Sequence, residues 1–326
     1  MPLFSSIERL LRSSRTPLAL SLVVALCYLS FLWRHALNIP QGDDITDVLM
    51  VMTRAAQSES VAAFWELLWA QHNDHRTLAS RLVYWLTLQL QGEMNFRTLA
   101  FLANGLLLGL LALFAAALAK PANRNWLLLG AALILLQWRA YDLVLWSMAG
   151  FAYFGAFFYG CGSLLLLRSA NWQRLLLAML LAALSTCSLA SGQLVWLVGF
   201  LSLAQQWIGG RREARYFLAA WLVAAALFLS FWHAGLESPN SLSQLLALFL
   251  ERPAHLSHYF LVLCGAAVGE QSVPMATALG LGLLLIVGLT LPMSWRRDEL
   301  TLHWMALFAL GSIAAVTLGR GPAATN

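Results

Sequence analysis

Charge is scarce in this chain: Asp, Glu, Lys and Arg make up 11% of its 326 residues, against 60% hydrophobic ones. A soluble domain carries about 25% charged residues, so a solvated globular surface is excluded. Lysine is nearly absent, with Lys120 alone, and the net charge of +5 comes almost wholly from arginine. These arginines are scattered between apolar runs and form no basic stripe, which argues against nucleic acid as a partner. The four cysteines, Cys27, Cys161, Cys187 and Cys264, lie inside apolar runs and in no CxxC or Cys/His spacing. Neither a disulfide framework nor a cysteine-based zinc site is indicated. Internal repeats, low-complexity tracts and linkers are lacking too, so one membrane domain over 1–326 is the economical reading.

What is present is a mean hydropathy of +0.71 and repeated apolar runs of roughly twenty residues, the length that crosses a bilayer core. The expected fold is all-α, a polytopic transmembrane helical bundle of about nine spans. They fall near 17–37, 96–118, 124–138, 147–167, 174–188, 192–208, 216–234, 275–292 and 300–318. Arg9, Arg12 and Arg15 precede the first run, which lacks a cleavage site. Residues 1–16 are therefore expected in the cytoplasm, and the positive connections KPANRN, RSANWQR, GGRREAR and SWRRDE return to that side. Residues 255–269, with two His at their start, suit a re-entrant or interfacial helix better than a crossing. Trp33, Trp126, Trp138, Trp172, Trp207, Trp232 and Trp295 mark run ends as interfacial aromatics. SLASGQ, 188–193, reads as a tight outer turn between two spans in which Gly192 with Gln193 serves packing or a backbone approach.

Two outer loops stand out, 38–95 and 235–274. The first is rich in Phe, Trp, Leu and Met, which predicts a folded cap with interfacial helices. At its mouth stand Gly42, Asp43 and Asp44. Adjacent carboxylates at headgroup level are costly unless solvated, paired or ligating a cation, and one of them is a candidate general base. A helix N-cap at Asp44 or Asp47 is the plain structural alternative, and a divalent cation on Asp43 and Asp44 is a further one. At the far end, QHNDHRTLASR (71–81) concentrates His72, His75, Arg76 and Arg81. If 72–79 is helical, His72, His75 and Arg76 share one face, a set suited to a phosphate. Anchoring at the headgroups is the alternative for the same residues. The second loop adds His255 and His258, three apart after a proline, as another wall of a site or the start of an interfacial helix.

The order of these features resembles the GT-C superfamily of membrane glycosyltransferases: one span, an acidic pair outside it, interfacial helices, a His-containing motif, then short cytoplasmic connections. The likeness covers roughly 17–320. It implies a polyprenyl-phosphate-linked sugar as donor and a lipid, glycan or protein as acceptor, in a bacterial inner membrane. Asp43 and Asp44 match the acidic pair where the family places its catalytic carboxylate, and HNDHR stands where many members carry a His-Pro-Pro-Leu type motif. Against such an architecture the C-terminus looks shortened, with Arg320 expected at the headgroup layer on the outer face. The rival readings are a glycolipid flippase or transporter, which would need ionisable groups near the midplane, and a non-catalytic glycan-assembly protein. No feature of the sequence fixes an oligomeric state.

Overall fold

The computed structural model describes residues 15–118, 123–169, 171–237, 242–269, 272–296 and 300–320. Helix dominates them, and the strands among them, Gln71–His72 and His75–Arg76, have two residues each. Among the described residues, seven helical segments are long and apolar enough to cross a membrane: Arg15–His35, Phe96–Ala117, Arg124–Leu145, Ser147–Leu166, Ala214–His233, Val273–Pro292 and Thr301–Gly319. The chain is an all-α, multi-pass integral membrane protein. All nine expected runs are helical. Two of them, Trp172–Thr186 and Leu194–Ile208, have 15 residues each. That is about 22 Å at ~1.5 Å per residue, short of a hydrocarbon core of ~30 Å. The expected run 124–138 ends early: helix stops after Leu135, passes through a 3-10 turn at Trp138–Ala140 and resumes at Tyr141–Leu145.

By packing, the chain divides into two compact units, Met1–Leu68 with Ser80–Phe158, and Trp69–Ala79 with Tyr159–Asn326. The first unit contains a polar link among its apolar helices. Tyr28 donates to Asn104 Oδ1, and Asn104 Nδ2 donates to the carbonyls of Ala100 (2.7 Å) and Val144 (2.8 Å). Tyr28 and Asn104 are buried, so these bonds satisfy groups that would otherwise be costly in an apolar setting. Asparagines also start helices. Asn95 Oδ1 accepts from the Thr98 N–H at 3.0 Å to open Phe96–Ala117, and Asn38 Oδ1 takes the Phe96 N–H at 2.8 Å. Between the first two long helices the chain is helical at Val51–Ala56, Val61–Trp69 and Leu78–Gln91, preceded by a π-helical stretch Asp44–Met50.

In the second unit the interior is aromatic. Trp221 Nε1 donates to the Trp196 carbonyl at 2.8 Å, and Trp196 Nε1 to Thr186 Oγ1 at 3.2 Å. Gly192 meets the expectation of close approach: a Cβ there would lie 2.1 Å from the Ser185 carbonyl oxygen. Trp232 departs from its expected interfacial place. It is buried against Ala79 and Cys187, whereas Trp33, Trp126, Trp138, Trp172 and Trp207 are exposed at helix ends. The helices Pro253–Gly269 and Val273–Arg296 pack backbone to backbone. A Cβ on Gly265 would fall 1.9 Å from the Ala276 oxygen, and one on Gly280 2.0 Å from the Leu261 oxygen. Gly265 and Gly269 on one helix against Ala276 and Gly280 on the other form a small-xxx-small crossing, which lets van der Waals contact drive association where lipid offers no hydrophobic gain.

Candidate functional site

The acidic pair lies in the first unit, and its position depends on Gly42. That residue has φ +49°, and a Cβ on it would meet the Trp146 indole at 2.8 Å. Only glycine combines this left-handed conformation with so close a neighbour. The turn delivers Asp44 to the start of the helix Ser147–Leu166. Its Oδ1 accepts from Ser147 Oγ (2.9 Å) and the Met148 N–H (3.1 Å), and its Oδ2 from the Gln41 N–H (3.0 Å). Asp44 thus caps a helix more than one hundred residues away, satisfying an N–H that the first turn leaves open. By sequence order alone Asp44 is a cap candidate only for the helix that follows it. Asp43 beside it is half-buried, and its carbonyl accepts from the Asp47 N–H at 2.8 Å. The stretch from Asp44 to Met50 winds as a π-helix, a geometry that recurs at functional sites.

Burial raises the Asp44 carboxyl above its ordinary value of 3.8; the three donors act against this, and the charge of Asp43 adds to it. A raised carboxyl means that the folded unit holds this proton more tightly than the unfolded chain does. The stability tied to Asp44 is therefore full below about pH 4 and declines as pH rises through the raised pKa. Asn at position 44 keeps an acceptor for Ser147 and Met148 but carries no titrating proton. The expected outcome is a wild-type minus Asp44→Asn stability difference that slopes downward from pH 4 to 8 in detergent thermal melts. A flat difference would show that Asp44 does not carry this dependence.

Arg81 and Asp47 form a buried ion pair in the same unit, with side chains 2% and 0% exposed. Arg81 donates from Nε (3.1 Å) and Nη2 to Asp47 Oδ1, and from Nη1 to the carbonyls of Leu67 (3.3 Å) and Leu68 (3.2 Å). Arg81 thereby holds the end of Val61–Trp69 to Asp47. Tyr84, one turn on from Arg81, is fully buried with its ring edge-on to Phe151. Burial, then the carboxylates of Asp47 and Asp44, push its hydroxyl well above the ordinary range. Sequence reasoning missed Tyr84, Ser147 and the Asp47–Arg81 pair, because none of these partners share a local spacing.

The HNDHR stretch belongs to the second unit and corrects an expectation. Residues 72–79 do not start as a helix. Gln71–His72 and His75–Arg76 pair antiparallel, His72 opposite His75 and Gln71 opposite Arg76, with Asn73 at φ +50° in the turn. Asn and Asp are favoured in such turns because they tolerate left-handed backbone and bond locally, so the hairpin signal was present in Asn73-Asp74. Strand alternation puts His72 and His75 on one face and Arg76 on the other. The imidazoles stand 6.0 Å apart, and His75 Nδ1 lies 2.8 Å from Asp74 Oδ1. Arg76 is buried. It donates to the carbonyls of Trp69 (2.7 Å), Trp232 (3.0 Å) and Ala234 (2.7 Å), with its guanidinium carbon 5.1 Å from the Trp69 ring centroid.

His255 and His258 are exposed on Pro253–Gly269, and His258 Nε2 lies 3.2 Å from Thr277 Oγ1. Arg320 closes the helix Thr301–Arg320, and its side chain lies outside the described residues. The structure thus brings Asp43, Asp44 and Arg81 into one unit, and His72, His75, Arg76, His255 and His258 into the other. Among the described residues, no three His, Cys, Asp or Glu side chains converge as a metal site. No protein-family model, curated protein or solved structure matches this chain.

Proposed function

We propose that this chain is a membrane glycosyltransferase that moves a sugar from a polyprenyl-phosphate carrier to a lipid, glycan or protein acceptor at the outer face of a bacterial inner membrane, with its N-terminus cytoplasmic. The observation that supports this reading most is the division of labour within the acidic pair. Asp44 is fixed by three donors to the head of Ser147–Leu166, and so holds the half-buried Asp43 rigidly at the mouth of the loop after the first span. A carboxylate held in this way is suited to take the acceptor hydroxyl's proton, a contribution of ~10²–10⁴ in rate. Asp44 is then a positioning residue and Asp43 the proposed base. His72 and His75, which share a face of the hairpin in the other unit, are proposed as an anion-recognising pair there, independently of Asp43. The structural role of Arg76 and Arg81 removes the need to invoke them there.

The test is sugar transfer from a polyprenyl-phosphate donor by protein reconstituted in vesicles, alongside the outer-surface glycolipid profile of cells with and without the chain. Asp43→Asn is expected to insert normally and lose transfer by at least about a hundredfold. Transfer retained by a normally inserted Asp43→Asn protein would remove the proposed base and favour a carrier or assembly role.

A further inference from the structure

The first unit carries a groove outside the acidic cluster. It has a volume of about 390 Å³, and Leu26, Cys27, Ser30, Phe31, Arg34, His35 and Trp138 line it. It follows the last turns of Arg15–His35 and ends where the chain breaks from helix into the 3-10 turn Trp138–Ala140. From Leu26 to His35 the helix rises about 13–14 Å at ~1.5 Å per residue, close to the ~15 Å that one leaflet contributes to a hydrocarbon core of ~30 Å. The lower part is apolar and the upper part cationic. Phe31 stacks between His35 (4.6 Å between ring centroids) and Trp138 (5.9 Å), forming an aromatic floor. Among the described residues the Arg34 guanidinium has no hydrogen-bond or ion-pair partner. The neighbouring Arg97, by contrast, is engaged by the Trp33 carbonyl at 2.9 Å and the Trp33 ring.

We propose that this groove holds one anionic glycerophospholipid, its phosphate on Arg34 and His35 and one acyl chain laid along Leu26 and Phe31. Charge complementarity identifies the occupant. An exposed arginine at the headgroup end of a span attracts an anionic lipid, and Trp138 stands where an interfacial indole is favoured. The lining has no carboxylate or amide to orient the hydroxyls of a sugar, so the groove is not the place for a sugar-bearing carrier. The inference is independent of the proposed transferase activity, since it concerns a different part of the unit and a lipid that is not consumed.

The test uses the full chain purified in mild detergent, delipidated, then offered phosphatidylglycerol or phosphatidylcholine and examined by native mass spectrometry. One phosphatidylglycerol retained per chain is expected, with retention reduced roughly fivefold in Arg34→Gln, the factor that one basic residue near a lipid surface contributes, and unchanged in Arg124→Gln. A second readout needs no variant. Cys27 lines the groove and is exposed, so added phosphatidylglycerol should slow its alkylation by a maleimide while leaving Cys264 unaffected. Equal losses in the two arginine variants, equal retention of phosphatidylcholine, or Cys27 alkylation indifferent to lipid would each overturn the proposal. So would displacement of phosphatidylglycerol by an equimolar polyprenyl phosphate, which would give the groove to the carrier lipid.

Discussion

Asp47→Ala is expected to destabilise the first unit by about 3–5 kcal/mol, because it strands the Arg81 charge in a buried site. Arg81 is 1% exposed and Asp47 likewise. Arg81 would keep its bonds to the Leu67 and Leu68 carbonyls but lose the Asp47 carboxylate. Tyr84 responds as well, since the Asp47 carboxylate is the larger of the two nearby charges that raise its hydroxyl. The attraction itself is not what is lost, for a buried pair roughly breaks even against apolar residues of similar volume. Asp47→Leu combined with Arg81→Met should therefore recover most of the loss, which neither single change does. Thermal or denaturant unfolding in detergent of wild type, both single variants and the double variant measures this. Additive losses in the double variant would mean that the pair does not act as a unit.

The second large effect is expected at Arg76. Its three donors go to carbonyls at two helix ends: Trp69 at the end of Val61–Trp69, and Trp232 and Ala234 at the end of Ala214–His233. Each bond from a charged donor contributes about 1.5–3 kcal/mol, and together, allowing for non-additivity, about 3–5 kcal/mol. Arg76→Ala should lower the melting temperature and speed hydrogen exchange at residues 71–76. Arg76→Lys should recover little, since a single ammonium lacks the planar fork that reaches several acceptors at once. A Lys variant as stable and as protected as wild type would show that charge alone, without the fork, holds the hairpin.

These two arginines also mark the limit of what the sequence discloses. Apolar runs are legible because helix period and span length impose a local pattern, and all nine expected runs are helices. Asparagine caps are legible for the same reason, as Asn95 and Asn171 stand directly before the helices they open. The partners of Arg81, Asp44 and Arg76 are not, because they lie 34, 103 and 156 residues away, and no spacing rule couples such positions. Their charge invited a functional reading at the surface, yet Arg76, Arg81 and Asp44 are buried. Trp232 failed differently: a tryptophan at a helix end satisfies the interfacial rule whether it faces lipid or protein. Asn73-Asp74 was readable as a turn, but the i, i+3, i+4 spacing of His72, His75 and Arg76 favoured the helix.

The glycine crossing of Pro253–Gly269 with Val273–Arg296 constrains the parity of membrane crossings. Contacts run from Gly269 with Ala276, through Gly265 with Ala276, to Leu261 with Gly280, so one residue number falls as the other rises and the helices are antiparallel. Val273–Pro292 is long enough to cross a membrane, and its partner, 17 residues or about 25 Å, accompanies it for most of that depth. We infer that this pair enters and returns, so that an even number of crossings separates Pro253 from Arg296. The preceding helix Leu242–Glu251 has ten residues, about 15 Å, half a hydrocarbon core, and leaves the count unchanged. We infer that Glu237 and Arg296 share a face and that Thr301–Arg320, as one odd crossing more, delivers Arg320 to the opposite one. That exchanges the sides expected from charge bias for Arg296 and Arg320 relative to Glu237. Impermeant thiol labelling of single cysteines at positions 237, 296 and 320 decides it: labelling of 237 together with 296 supports the even count, and labelling of 237 together with 320 would return Pro253–Gly269 to the surface of its leaflet.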